Sequence, residues 1–181
     1  AGDMGHGIAE VAALAGFRVW LFDVSDAALE RGKERVFASL EKLTSKGKVS
    51  GELADRIRES SLTGTTDLAE AVSDAEFVVE AVPEILELKR ETFRQLDELA
   101  SSRAILASNT STMSVTELGA MTNRPSQVLG FHFFNPPVLM RLVEVIRGVA
   151  TSDDTIESAL ALAKAMGKTP VLVQKDTPGF I

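Results

Sequence analysis

His132 and Glu144 are the pair in this chain whose types and spacing can move a proton. Each lies in a short apolar run, at 128–133 and 141–146, and Pro136 and Pro137 stand between the runs. Proline fixes its own φ, supplies no N–H and pushes the preceding residue out of helical space, so the connection reads as a turn between two strands. His132 and Glu144 lie equally far from the middle of that connection, near Val138, and an antiparallel return makes them cross-strand neighbours. A carboxylate that accepts from one imidazole nitrogen fixes the tautomer and raises the basicity of the other, which is what a general base needs. The bland alternative is a hydrogen-bonded core histidine.

Such a base needs a scaffold that presents a cofactor and a substrate to it. The chain opens on Ala1-Gly2-Asp3-Met4-Gly5-His6-Gly7, which matches most of a G-x-G-x-x-G turn if one glycine and a strand precede Ala1. Gly2 lets the backbone approach a pyrophosphate, Gly5 lets the next helix pack closely on a sheet, and Asp3 and Met4 share the turn. The helix expected over 8–15 aims its free N–H groups and the positive end of its dipole at that anion. After Gly16 an apolar run ends in Asp23, about 20 residues past the glycines, where an acid binds the ribose hydroxyls of NAD and repels the 2′-phosphate of NADP. The alternatives are a glycine-rich helix start and an N-cap by Asp23, a duty that Ser25 or Asp26 can serve equally well.

Beyond Asp23, strand and helix patterns take turns. A helix over 26–46 has Leu29, Val36 and Leu40 at helical intervals, and its basic residues, Lys46 among them, read as a solvated face. A short helix over 52–59 and a strand over 60–66 follow. The buried strand at 75–80 leads to Glu84, and Glu84 and Lys89 stand close enough to reach a ribose or each other. A helix over 86–99 and a strand over 104–108 lead into Asn109-Thr110-Ser111-Thr112. This loop either binds carbonyl, amide or phosphate oxygens or simply caps a helix. The N-cap cluster at 151–154, a helix to Met166, Gly167 and a strand over 169–173 complete the order. The alternation predicts an α/β fold, a Rossmann-type, mostly parallel sheet with helices on both faces, with 1–181 as one dinucleotide-binding domain. An opening inside a glycine turn and an apolar run beginning at Phe180 read as the ends of a piece of a longer protein.

Composition narrows the function. The formal net charge of −7, from 26 acidic and 19 basic residues, argues against a nucleic-acid partner and gives no support for docking on anionic membranes. With no cysteine there is no disulfide framework, thiolate nucleophile or cysteine metal site. No apolar run is long enough to span a bilayer and no signal peptide opens the chain, so the expected setting is cytosolic or matrix-type, with cytoplasmic the reading taken. No metal is expected.

Taken together, the glycine turn, Ser108-Asn109-Thr110-Ser111, His132-Phe133-Phe134-Asn135-Pro136 and Leu142-Val143-Glu144-Val145 resemble the NAD-binding domain of the 3-hydroxyacyl-CoA dehydrogenases, and the likeness covers the whole chain. The resemblance implies NAD as cofactor and an acyl-CoA substrate. It makes His132 the base that takes the 3-hydroxyl proton and Glu144 its partner, with Ser111 and Asn135 holding the substrate oxygen and the nicotinamide region. Gly2, Asp3, Met4, Gly5, Asp23, Glu84 and Lys89 become cofactor contacts, and Ser39 and Lys46 contacts to coenzyme A. It also implies an all-helical C-terminal domain, absent from 1–181, that carries most of a homodimer contact and much of the acyl pocket. Two alternatives stand beside it: a sugar-acid dehydrogenase of the L-gulonate type, and a dinucleotide-binding module without catalysis.

Overall fold

Strands of four to six residues alternate with helices along most of the chain. The structure, a computed structural model, describes residues 1–177 and Gly179. The apolar run expected from Phe180 lies outside the described residues. By compactness the chain divides into two units, Ala1–Ala71 with Asn135–Leu139, and Val72–Phe134 with Met140–Ile181.

In the first unit α1 (Gly5–Leu14), β1 (Val19–Phe22), α2 (Asp26–Ser45), α3 (Gly51–Arg56) and β2 (Leu62–Thr65) surround one core. β1 and β2 are parallel, with Val19 opposite Leu62 and Phe22 opposite Thr65. Leu29, Val36 and Leu40 of α2 pack with Ala9 and Ala13 of α1 and with Leu21, Ala54, Ile57 and Leu62. Ser25 caps α2 by accepting from the Ala28 N–H at 3.4 Å, so the cap falls to Ser25 and not to Asp23. Gly32 is obligatory for the close approach of α2 to the start of the chain: a Cβ there would lie 2.7 Å from the Ala1 Cβ and 2.8 Å from its carbonyl oxygen.

Two departures from expectation occur here. α1 begins at Gly5, earlier than the pattern suggests, because glycine costs little in a first turn whose N–H groups have no intrahelical partner. The helix expected over 52–59 ends at Arg56 and widens into a π-helical turn, Ile57–Ser61, which seats Ile57 in the core. Hydrophobic periodicity at 3.6 residues carries no signal for that wider turn.

α4 (Leu68–Val72) runs up to the second unit, which contains β3 (Phe77–Glu80), α5 (Leu86–Leu99), β4 (Ile105–Ser108), α6 (Val115–Gly119), β5 (Val128–Phe133), β6 (Leu142–Arg147), α7 (Asp153–Ala165) and β7 (Thr169–Val173). The five strands lie in the order β3-β4-β5-β6-β7 and are parallel except at the β5–β6 hairpin. Leu106, Ala107, Leu129, Phe131, Val143, Val145 and Ile146 are all fully buried, adjacent positions included. A strand that is apolar on both sides belongs to a sheet covered on both faces, which is the mostly parallel α/β arrangement expected. α6 is an addition, since its five residues are too few to show a period.

Gly130 belongs to the strand that carries His132. It pairs with Ile146, and a Cβ on it would meet Ile146 at 2.8 Å and Val115 of α6 at 3.0 Å. Gly130→Ala must therefore push the hairpin or α6 aside, and is expected to cost about 1–3 kcal/mol in urea denaturation. An unchanged midpoint would show that the packing yields freely and would contradict this.

Candidate active site

The β5–β6 register sets His132 opposite Glu144. His132 Nδ1 lies 2.6 Å from Glu144 Oε2, with side chains 13% and 1% exposed. A carboxylate only accepts, so Nδ1 carries the proton toward Glu144 and Nε2 presents its lone pair. Ser111 Oγ stands 3.0 Å from that Nε2. The ring also contacts Phe134, with centroids 4.9 Å apart. The cross-strand neighbours expected from the symmetric spacing about the prolines are in contact, and the core-histidine alternative does not account for an Nε2 turned to an exposed serine.

Ser111 is held by the loop after β4. The Asn109 N–H donates to the Glu80 carbonyl at 2.8 Å, and Asn109 Oδ1 accepts from the Phe133 N–H at 2.8 Å, which ties the loop to the His132 strand. Capping in this loop falls to Thr110, which accepts from the Met113 N–H at 2.9 Å, and to Ser114, which caps α6. Ser111 is thereby left to face the histidine. Glu84 Oε1 gathers the far side of the loop, accepting from the Thr110 hydroxyl, the Ser111 N–H at 3.1 Å, and the Thr112 N–H and hydroxyl at 3.3 and 3.2 Å. Burial pushes the Glu84 carboxyl up, but the Thr110 hydrogen bond, the Lys89 charge and the Ser111 N–H outweigh it and hold it below the usual carboxylate range. Asp176 braces the other end of the loop through the Ser114 hydroxyl at 2.7 Å and the Val115 and Thr116 N–H groups at 3.0 and 2.7 Å.

Of the two options for Glu84 and Lys89, contact with each other is realised, at 3.3 Å. The Lys89 side chain is 1% exposed, and its ammonium also reaches Glu80 at 2.7 Å and the Val82 carbonyl at 3.3 Å. Lys89 is thus positioned to act through Glu84, whose side chain is 39% exposed, more readily than to touch a ligand itself.

In the first unit the glycine turn leads directly into α1. The N-cap, Met4, makes no side-chain capping bond, and no acid lies in the first turn. A helix start so equipped suits a phosphate and fits the pyrophosphate of a dinucleotide. Asp3 is exposed and pairs with Arg35 at 2.6 Å. Asp23, at the end of β1, accepts from the Ala1 ammonium at 3.0 Å and the Ser25 N–H at 3.2 Å. Ser39 gives its hydroxyl to Glu10 at 2.6 Å, and Lys46 is exposed at the end of α2. Asn135 is exposed and precedes a cis peptide bond to Pro136. Among the described residues no group of His, Cys, Asp and Glu is arranged to hold a metal, and no helix is long and apolar enough to cross a membrane.

Residues 1–177 match the family described as 3-hydroxyacyl-CoA dehydrogenase, NAD binding domain. The chain belongs to that family. It is 46% identical to a protein of Bacillus subtilis named a probable 3-hydroxybutyryl-CoA dehydrogenase, covering 100% of this chain and 62% of that one. It is 42% identical to the mitochondrial hydroxyacyl-coenzyme A dehydrogenase of Homo sapiens, covering 99% of this chain and 58% of that one. The crystal structure of (S)-3-hydroxybutyryl-CoA dehydrogenase from Ralstonia eutropha superimposes with a TM-score of 0.95 at 39% identity, over 99% of this chain and 62% of that one. The chain thus spans about three fifths of the length of these relatives.

Sequence reasoning passed over Glu80, Glu10 and Asp176. Glu80 reads as the end of an apolar strand, and only the strand register reveals its partners. Glu10 reads as one more residue of a small-residue helix, yet it is 1% exposed. Burial pushes its carboxyl up to about 7 against the opposing hydrogen bond from Ser39. The unfolded carboxyl ionises in the ordinary range, so this site removes stability as pH rises from there to about 7, and the loss is complete above that. The size of the loss is on the order of 3 kcal/mol. Glu10→Gln should therefore gain on the parent in urea denaturation at about pH 8 relative to about pH 5. An equal difference at both pH values would contradict the buried-carboxyl reading.

Proposed function

We propose that this chain is the NAD-binding part of an oxidoreductase that interconverts an L-3-hydroxyacyl-CoA and the 3-ketoacyl-CoA. The observation that carries the reading is His132, hydrogen-bonded through Nδ1 to Glu144 at 2.6 Å and turned through Nε2 toward Ser111 at 3.0 Å, in a member of this family. When bound, NAD supplies the acceptor for the hydride leaving C3. His132 takes the 3-hydroxyl proton at Nε2, and the Glu144 carboxylate stabilises the imidazolium that forms. In the reverse direction the same imidazolium returns the proton to the oxygen of the reduced carbonyl. Ser111 and Asn135 hold the substrate oxygen and the nicotinamide side.

In the first unit Gly2, Asp3, Met4 and Gly5 take the pyrophosphate and Asp23 a ribose, which favours NAD over NADP. In the second unit Glu84, backed by Lys89, takes a ribose. Ser39 and Lys46 serve coenzyme A. A homodimer, a cytoplasmic setting and a helical domain following this one belong to the same proposal; this chain covers 62% and 64% of two such relatives, which leaves length for a further domain in them. This chain by itself should then turn over far more slowly than the full-length protein.

The test is NADH absorbance with acetoacetyl-CoA and the full-length protein. Rapid oxidation, much slower with NADPH, is the expected result. Activity only on a free sugar acid with NAD would move the assignment to the L-gulonate type, and NADH binding with no turnover on either substrate would leave a non-catalytic module. His132→Gln should lower kcat by about a hundredfold or more while NADH affinity stays within about threefold. Joint loss of binding and turnover would point to a structural histidine instead.

A further inference from the structure

Glu80 ends β3 with its side chain 1% exposed, among groups that the proton transfer does not use directly. Its Oε1 accepts from the Lys89 ammonium at 2.7 Å and the Val82 N–H at 2.6 Å, and its Oε2 accepts from the Ser108 hydroxyl at 2.7 Å. Each partner leads onward to the same short stretch of loop. Ser108 Oγ accepts from the Thr110 N–H at 3.2 Å. Lys89 reaches Glu84 at 3.3 Å, and Glu84 accepts from the Ser111 N–H at 3.1 Å. Two routes from one buried carboxylate thus converge on Thr110 and Ser111, and Ser111 Oγ lies 3.0 Å from His132 Nε2.

Apolar side chains of similar volume would fill the space under this loop at less desolvation cost than a buried ion pair. What apolar packing cannot supply is direction. A carboxylate with three donors fixed on it holds Lys89 and Ser108 in one orientation each, and a Lys89 so held presents its remaining donor to Glu84. The oriented pair determines which way Glu84 faces the loop.

We propose that Glu80 is a positioning residue for the His132 reaction, acting through Lys89–Glu84 and through Ser108 to hold Ser111 at the histidine. This rests on the dehydrogenase reading above. Lys89 then contributes to the site from within the fold, as the link between two carboxylates.

The experiment is a double-mutant cycle in the full-length protein, reading kcat and KM with NADH and acetoacetyl-CoA, NADH affinity by fluorescence, and folded fraction by circular dichroism. Glu80→Gln keeps the shape and removes the charge. It should lower kcat per folded site by about tenfold to a hundredfold, the scale of a small misplacement of a reacting group. NADH affinity should fall by a smaller factor than kcat does, since Glu84 also faces the cofactor's ribose in this reading. In a Ser111→Ala background the same substitution should change kcat by less than about twofold, since its route of action is already gone. Ser108→Ala, which cuts one route and leaves the ion pair, should show a smaller kcat loss with the same dependence on Ser111. If Glu80→Gln folds poorly, this variant carries the cycle. Equal kcat losses with and without Ser111, no kcat loss at all, or a loss confined to NADH affinity would each overturn the proposal while leaving the dehydrogenase reading intact. An inactive parent protein would instead remove both.

Discussion

The site depends on one cross-strand hydrogen bond, from His132 Nδ1 to Glu144 at 2.6 Å. It exists because β5 and β6 pair in a single register, and side chains on a strand alternate between faces. A slip of one residue would carry His132 or Glu144 to the opposite face and leave the other without its partner. Packing enforces the register. Phe131, Phe133, Val143 and Val145 are buried on the strands that carry the pair, and Phe131 packs against Phe77 of β3, with ring centroids 5.3 Å apart and ring planes tilted by 58°. Gly130 opposite Ile146 lets the hairpin and α6 close on one another, so the chemistry is set by a hydrophobic fit two residues away.

The second constraint is electrostatic. Glu80, Lys89 and Glu84 put two carboxylates on one ammonium at the ends of β3 and α5. Removing one member of a buried ion pair typically costs about 3–5 kcal/mol because the remaining charge is left uncompensated. Such a group resists small displacement, a useful property beneath a loop whose serine must stay within hydrogen-bond reach of a histidine. Asn109, bonded to Phe133 of β5, and Asp176, bonded to Val115 of α6, hold the same loop from two further sides. The loop is therefore tied to rigid elements, although its own residues adopt no regular structure.

Much of this was legible in the residues. Two prolines at the centre of an apolar stretch reveal a hairpin, and equal spacing from that centre pairs His132 with Glu144 without any fold in hand. Capping residues and apolar intervals placed α5 and β7 to the residue and most other elements to within a few residues, α1 and the 52–61 stretch excepted. The illegible parts are those decided by long-range register. Glu80 and Ser108 become partners only because β3 and β4 lie side by side in phase. Glu10 and Ser39 meet only because α1 packs on α2. The π-helical turn at Ile57–Ser61 and the five-residue α6 are too irregular or too short for periodicity to register.

The most direct test of the central claim is the tautomeric state of His132, read from nitrogen chemical shifts of the imidazole in protein labelled at histidine. The chain has only two histidines, so His132 is assigned by comparison with a His6→Asn variant. The account predicts a proton fixed on Nδ1 and an unprotonated Nε2 facing the Ser111 hydroxyl, with that preference weakened in Glu144→Gln. A proton resident on Nε2, or a mixture of tautomers in the parent protein, would contradict it.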